Sequence, residues 1–149
     1  GGAVVCMTGQ SYLPEVMARL GEHLTYYWTF AYITHGQSAQ LRHKAVNTDW
    51  KPVLVYVKDR YTGPHVSDTF TSLSNDKEHH HWGQSVSGMN DIITRFTNPG
   101  DLVVDPFLGG GTTCLSALMT DRLFAGCDID ESCIKTTLER VSEWQQEQN

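Results

Sequence analysis

The stretch Leu102-Val103-Val104-Asp105-Pro106-Phe107-Leu108-Gly109-Gly110-Gly111-Thr112-Thr113 limits what this chain can fold into more than any other. A short apolar run ends in an acid, three glycines follow, and a helix-forming segment runs from about Thr112 to Thr120. The run reads as a buried strand, the glycines as a turn whose backbone a ligand can approach, and the threonines as a helix N-terminus. Open α/β sheets bind ligands at the carboxyl ends of their strands, so a nucleotide-type site is expected here. Asp128 lies 23 residues after Asp105, beyond the next predicted strand, Leu123-Phe124-Ala125-Gly126-Cys127. That is near the spacing of about 20 at which an acid meets ribose hydroxyls, and it predicts the adenosine end of a ligand.

Three ligand classes compete for such a turn. A phosphate-binding loop needs a lysine just before Thr112, and Gly111 stands there. The dinucleotide fingerprint needs a third glycine where Cys114 stands. An acid at the start of the turn opposes phosphate and suits a cation, such as a sulfonium carrying an amine. The plain alternatives are a tight strand-to-helix connection without ligand for the turn, and helix capping for Asp128. Position favours Asp128 as ligand and Asp130 as cap.

The rest of the chain alternates strand and helix. Ala3 to Met7 is a buried-strand run. Leu13, Val16, Met17, Leu20 and Leu24 share a helix face, with Ser11 as expected N-cap and Pro14 in the first turn. Tyr26 to Thr34 and Val53 to Val57 read as strands, with Tyr26, Tyr27, Trp28 and Phe30 expected to pack rather than to stack on bases. Residues 35–50 show no period and read as a loop or small excursion, and residues 59–82 read as an exposed connection. Met89, Ile92, Ile93 and Phe96 mark a helix stopped by Asn98-Pro99-Gly100, and Ile134, Leu138 and Val141 mark a last one. Five strands with intervening helices imply an α/β layered sheet in a single domain, residues 1–149.

Forty per cent apolar and 19% charged residues exclude a disordered chain or a coiled coil, and no apolar stretch is long enough for a membrane helix. A cytoplasmic location and no membrane partner are expected. Cys6, Cys114, Cys127 and Cys133 are irregularly spaced and read as reduced, mostly buried small hydrophobes. Three adjacent histidines, His79 to His81, point apart in any regular backbone, so no metal site is expected. The net charge is −6. Residues 35–65, however, carry Arg42, Lys44, Lys51, Lys58 and Arg60 against Asp49 and Asp59, a local surplus that suits a polyanion.

Asp-Pro-Phe-x-Gly-x-Gly-Thr-Thr, followed by an apolar helix and Gly-x-Asp, resembles the S-adenosylmethionine-binding segment of DNA amino-methyltransferases. The order is similar to that of the subgroup whose cofactor motif lies C-terminal to the catalytic motif, as in phage and restriction-modification enzymes. Gly1 to Val5 resembles the strand after the catalytic motif, Trp50 to Lys58 a later core strand, and His81-Trp82-Gly83-Gln84-Ser85 the segment over the methionine end of the cofactor. The resemblance implies a Rossmann-like sheet lacking its N-terminal strands, and S-adenosylmethionine as cofactor. Asp105, Pro106, Phe107, Gly109, Gly111, Thr112 and Thr113 would line that cofactor, Asp128 would hold its ribose, and Gln84 and Ser85 would meet its carboxylate end. Where many relatives have Lys-Pro after the glutamine, this chain has Ser85-Val86. Arg42, Lys44 and Lys51 would contact DNA.

The family's catalytic signature, Asp-Pro-Pro-Tyr, occurs nowhere in the 149 residues, so no catalytic residue is assigned. The chain begins Gly1-Gly2 without an initiator Met, and the signature is expected upstream of Gly1. The implied function is methylation of the exocyclic amino group of adenine or cytosine in DNA, with negligible activity for this chain alone. The rivals are an inactive cofactor- or DNA-binding remnant and an RNA or small-molecule methyltransferase. A homodimer, or association with the N-terminal segment, is expected to cover the open sheet edges.

Overall fold

Val53 to Val57 is an unbroken β-branched and aromatic run, and all five residues are buried. It lies in the longest-buried strand of the first of two units, Gly1–Ser72 and Leu73–Asn149, in a computed structural model that describes residues 2–34, 39–72 and 85–148. In the first unit β1 (Ala3–Met7), β2 (Thr25–Thr34), β5 (Trp50–Val57) and β6 (Thr69–Ser72) form one sheet in the order β1-β5-β2-β6. A second, two-stranded sheet pairs β3 (Ala39–Leu41) with β4 (Val46–Thr48).

β5 is antiparallel to both neighbours, with Val5 opposite Val55 in β1 and Phe30 opposite Val53 in β2. Pro52 sits inside this strand, where a missing N–H ordinarily breaks the ladder. It is tolerated because β1 ends at Met7. There the Pro52 carbonyl accepts from the Thr8 N–H at 3.1 Å, and only the return bond is lost. One residue is inserted into β2 between Tyr26 and Trp28. Such a bulge leaves the extra residue unpaired, and the Tyr27 ring meets that of Tyr61 at 4.5 Å. Helix α1 (Leu13–Gly21) lays Leu13, Val16, Met17 and Leu20 half-buried, and its Met17 carbonyl accepts from the Tyr56 hydroxyl at 3.0 Å.

In the second unit α2 (Val86–Phe96) precedes β7 (Leu102–Asp105), α3 (Thr112–Met119), β8 (Leu123–Gly126) and α4 (Glu131–Glu147). β7 and β8 are parallel, with Asp105 opposite Gly126, so β7, α3 and β8 form a β-α-β unit. Ile92 and Ile93 of α2 and Ser116 and Ala117 of α3 are buried, and the Ser116 hydroxyl reaches the Val86 carbonyl. Arg122, also buried, donates to the Thr97 hydroxyl and carbonyl and to the Thr120 carbonyl, holding the end of α2 against the start of β8.

Several expectations are corrected. The connection at residues 59–82 contains β6, parallel to β2, whose Phe70 is fully buried against Phe30 with ring centroids 5.3 Å apart. Within residues 35–50 the small excursion is the β3–β4 hairpin. Three of the five expected strands, β1, β5 and β2, run antiparallel. The α1 N-cap is Tyr12, because a 3-10 turn over Gln10–Tyr12 displaces Ser11. Trp28 is exposed, and Tyr26, though also exposed, packs edge-on against Tyr56 with ring centroids 5.5 Å apart. Leu138 faces solvent, and the buried positions of α4 are Thr137 and Arg140. The cysteines are all free; Cys114 is buried, Cys6 and Cys133 are half-buried, and Cys127 is exposed. Among the described residues no helix is long and apolar enough to cross a membrane.

Candidate functional site

Pairing of β7 with β8 brings Asp105 and Asp128 to the same end of two adjacent strands, as expected for acids that close successive strands of a parallel pair. The Asp105 carboxylate accepts from the Phe107 N–H at 2.9 Å, an Asx turn that starts the chain's departure from the strand. Pro106 and Phe107 are exposed, the Phe107 ring at 85%. The Leu108 N–H donates to the Cys127 carbonyl at 3.1 Å, and the Cys127 N–H to the Asp105 carbonyl at 3.1 Å, so the ladder continues past both strand ends.

The glycine turn is then held by Asp128. One of its oxygens accepts from the Gly109 N–H at 2.8 Å and the other from the Asp130 N–H at 2.9 Å. Asp130 is the N-cap of α4, accepting from the Ser132 N–H at 2.9 Å, as the sequence predicts for that residue. Gly109 and Gly111 have φ of +51° and +76°, in the left-handed region that favours glycine. A Cβ on Gly109 would meet nothing nearer than the Phe107 carbonyl at 3.9 Å, whereas one on Gly111 would collide with the Thr137 side chain. Gly109 is thus open to an approaching ligand, and Gly111 is closed by α4. Thr112 is buried and Thr113 half-buried in the first turn of α3, which has no side-chain cap.

Ser85 is buried and caps α2, its hydroxyl accepting from the Gly88 N–H at 3.1 Å. Gln84 and His79 to His81 lie outside the described residues. Arg42 and Lys44 stand exposed on the turn joining β3 to β4, and Lys51 is exposed in β5; all three belong to the first unit. Ile129, between Asp128 and Asp130, is fully exposed, which the sequence did not single out. Its signal is an apolar side chain between two acids just past a strand end. With Phe107 it leaves two large apolar side chains exposed next to the acids in sequence.

The family model for DNA methylases matches residues 21–139, most of the chain. The DNA adenine methyltransferase YhdJ of Escherichia coli is 36% identical over 69 residues, which cover 46% of this chain and 24% of that enzyme. The matched stretches span about a quarter of the length of such curated relatives. The crystal structure of the M1.HpyAVI–SAM complex superposes with a TM-score of 0.80 at 22% identity, covering 94% of this chain and 74% of that one. The cytosine-N4-specific PvuII DNA methyltransferase gives 0.75 at 18%, covering 93% and 63%. The α/β fold is thus shared with these methyltransferases, and with the family model matching over so much of its length, the chain belongs to the DNA methylase family.

Proposed function

We propose that this chain forms the S-adenosylmethionine-binding part of an enzyme that methylates the exocyclic amino group of adenine or cytosine in DNA. The observation that carries the reading is the open glycine turn between two acids, with Asp128 holding the Gly109 N–H. The donor set fits the cofactor. Two carboxylates suit its cationic amine and sulfonium and its ribose hydroxyls, a side-chain-free turn admits it to the backbone, and exposed Phe107 and Ile129 suit its purine.

When bound, the cofactor supplies an electrophilic methyl group. The chain's own residues bind and orient it. Asp105, Pro106, Phe107, Gly109 and Thr113 line the site and Asp128 takes the ribose, whereas Gly111, closed by α4, and the buried Thr112 shape the turn from behind. A carboxylate accepts about four hydrogen bonds, so anchoring two backbone amides does not bar Asp128 from accepting a hydroxyl. Gln84 serves the carboxylate end, while Ser85 is buried and caps α2. Arg42, Lys44 and Lys51 supply sequence-independent contacts to phosphate, whose strength falls with salt. Groups that hold the target amine belong to an Asp-Pro-Pro-Tyr segment, which these 149 residues lack. Orienting donor and acceptor accounts for up to roughly 7 to 11 kcal/mol of such a barrier. The chain alone is therefore expected to bind cofactor without turnover.

Calorimetric titration with S-adenosylmethionine tests this reading. Saturable binding that is lost in Asp105→Ala is the expected result, and no binding by a chain shown to be folded would overturn it.

A further inference from the structure

Arg140 belongs to α4, outside the glycine-rich motif, yet it is 7% exposed, and its guanidinium donates to the Gly110 carbonyl and, at 3.3 Å, to the Thr112 hydroxyl. The peptide group that it grips is held at the other end as well, since the Gly111 N–H donates to the Leu108 carbonyl at 2.9 Å. One turn of helix earlier, Thr137 fills the space beside Gly111 where a side chain would otherwise stand. The turn is therefore clasped from two sides. Asp128 accepts from Gly109, and Arg140 donates to Gly110. The charge of Arg140 also reaches Cys114 in the first turn of α3, opposing the upward push that burial gives its thiol.

We propose that Arg140 is a positioning residue, which sets the orientation of the Gly110–Gly111 peptide and so holds the turn in its ligand-ready shape before the cofactor arrives. The inference rests on the reading of this turn as a cofactor site. Ordering a loop at the moment of binding costs affinity, and a loop ordered beforehand does not incur that cost. Arg140 acts through the backbone and touches no reacting atom. A buried arginine retained only for packing would instead contribute to stability alone.

Arg140→Met and Arg122→Met separate the two roles, because Arg122 is an equally buried arginine of the same unit that serves Thr97 and Thr120. Each variant is compared with the unmodified chain by urea unfolding, by amide hydrogen exchange at Gly109 to Thr113, and by titration with S-adenosylmethionine. Arg140→Met is expected to weaken binding roughly 10- to 100-fold, the equivalent of one lost charged hydrogen bond. It should also speed exchange at the Gly111 amide while the chain stays folded. Arg122→Met is expected to lower stability with binding and Gly111 exchange unchanged. Arg140→Lys, which keeps one donor, should fall between, and it carries the test if Arg140→Met does not fold. Equal binding and equal Gly111 exchange in the unmodified chain and the Arg140 variants would overturn the proposal. If the unmodified chain takes up no S-adenosylmethionine, the cofactor reading fails, and Gly111 exchange by itself decides whether Arg140 sets the turn.

Discussion

Replacing Gly111 by alanine tests the contact between the glycine turn and α4. Two costs are expected. A non-glycine residue at φ +76° bears the left-handed penalty of about 1–2 kcal/mol. The new Cβ would also collide with Thr137 Oγ1 and stand 2.8 and 2.9 Å from its Cγ2 and Cβ, and overpacking of this kind costs about 1–3 kcal/mol. The sum, about 2–5 kcal/mol, is a large share of a typical domain's stability. Gly109→Ala isolates the first cost, because Gly109 shares the left-handed backbone but faces open space. Thr137→Ala isolates the second by removing Oγ1 and Cγ2, so it should recover about 1–2 kcal/mol when combined with Gly111→Ala. Urea unfolding of the four variants at constant m-value measures each quantity. Equal destabilisation by Gly109→Ala and Gly111→Ala, or no coupling between Gly111 and Thr137, would refute the argument that α4 moulds the turn.

Asp128→Ala strips the acceptor from the Gly109 and Asp130 amides, so the urea midpoint should fall by the equivalent of about 1–3 kcal/mol. A loss below about 0.5 kcal/mol would mean that water replaces the carboxylate without penalty. Ala45, at φ +51° on the turn between β3 and β4, carries backbone strain that Ala45→Gly relieves. The variant is expected to gain about 0.5–1 kcal/mol after the added freedom of the unfolded chain is subtracted, and a loss of stability would contradict the assignment of strain. Burial raises the Cys6 and Cys114 thiols above the ordinary value of 9.0 and the Tyr56 hydroxyl above 10.0, so the folded chain holds these protons to higher pH than the unfolded chain. Their contribution to stability is complete below pH 9 and is lost as pH rises through the folded values. Unfolding midpoints should decline as pH rises above about 9, and midpoints that rise there would show the wrong sign.

What the sequence determined by itself is local. The limits of β1, the stop of α2 before Pro99, the start of α3 at Thr112 and the capping of α4 by Asp130 follow from periodicity, capping and turn chemistry within a few residues. The two acids could be placed together because a β-α-β unit leaves little choice about where successive strands end. Thr69–Ser72 gave no such signal, since its single large apolar residue shows no period. It becomes a strand by pairing with β2 and burying Phe70 on Phe30, partners about 40 residues away in sequence. The β3–β4 hairpin was hidden because its turn carries Arg42, His43 and Lys44, with Ala45 and not glycine in the left-handed position. Of the three apolar marks of α4, Ile134 and Val141 are half-buried but Leu138 is exposed, and the fully enclosed positions are the polar Thr137 and Arg140. The physical reason is that hydrophobic patterning assumes an apolar surface opposite the helix. The surface opposite α4 is a glycine turn whose carbonyl needs a donor and whose missing side chain leaves room for a threonine, and only the folded chain brings that surface into place.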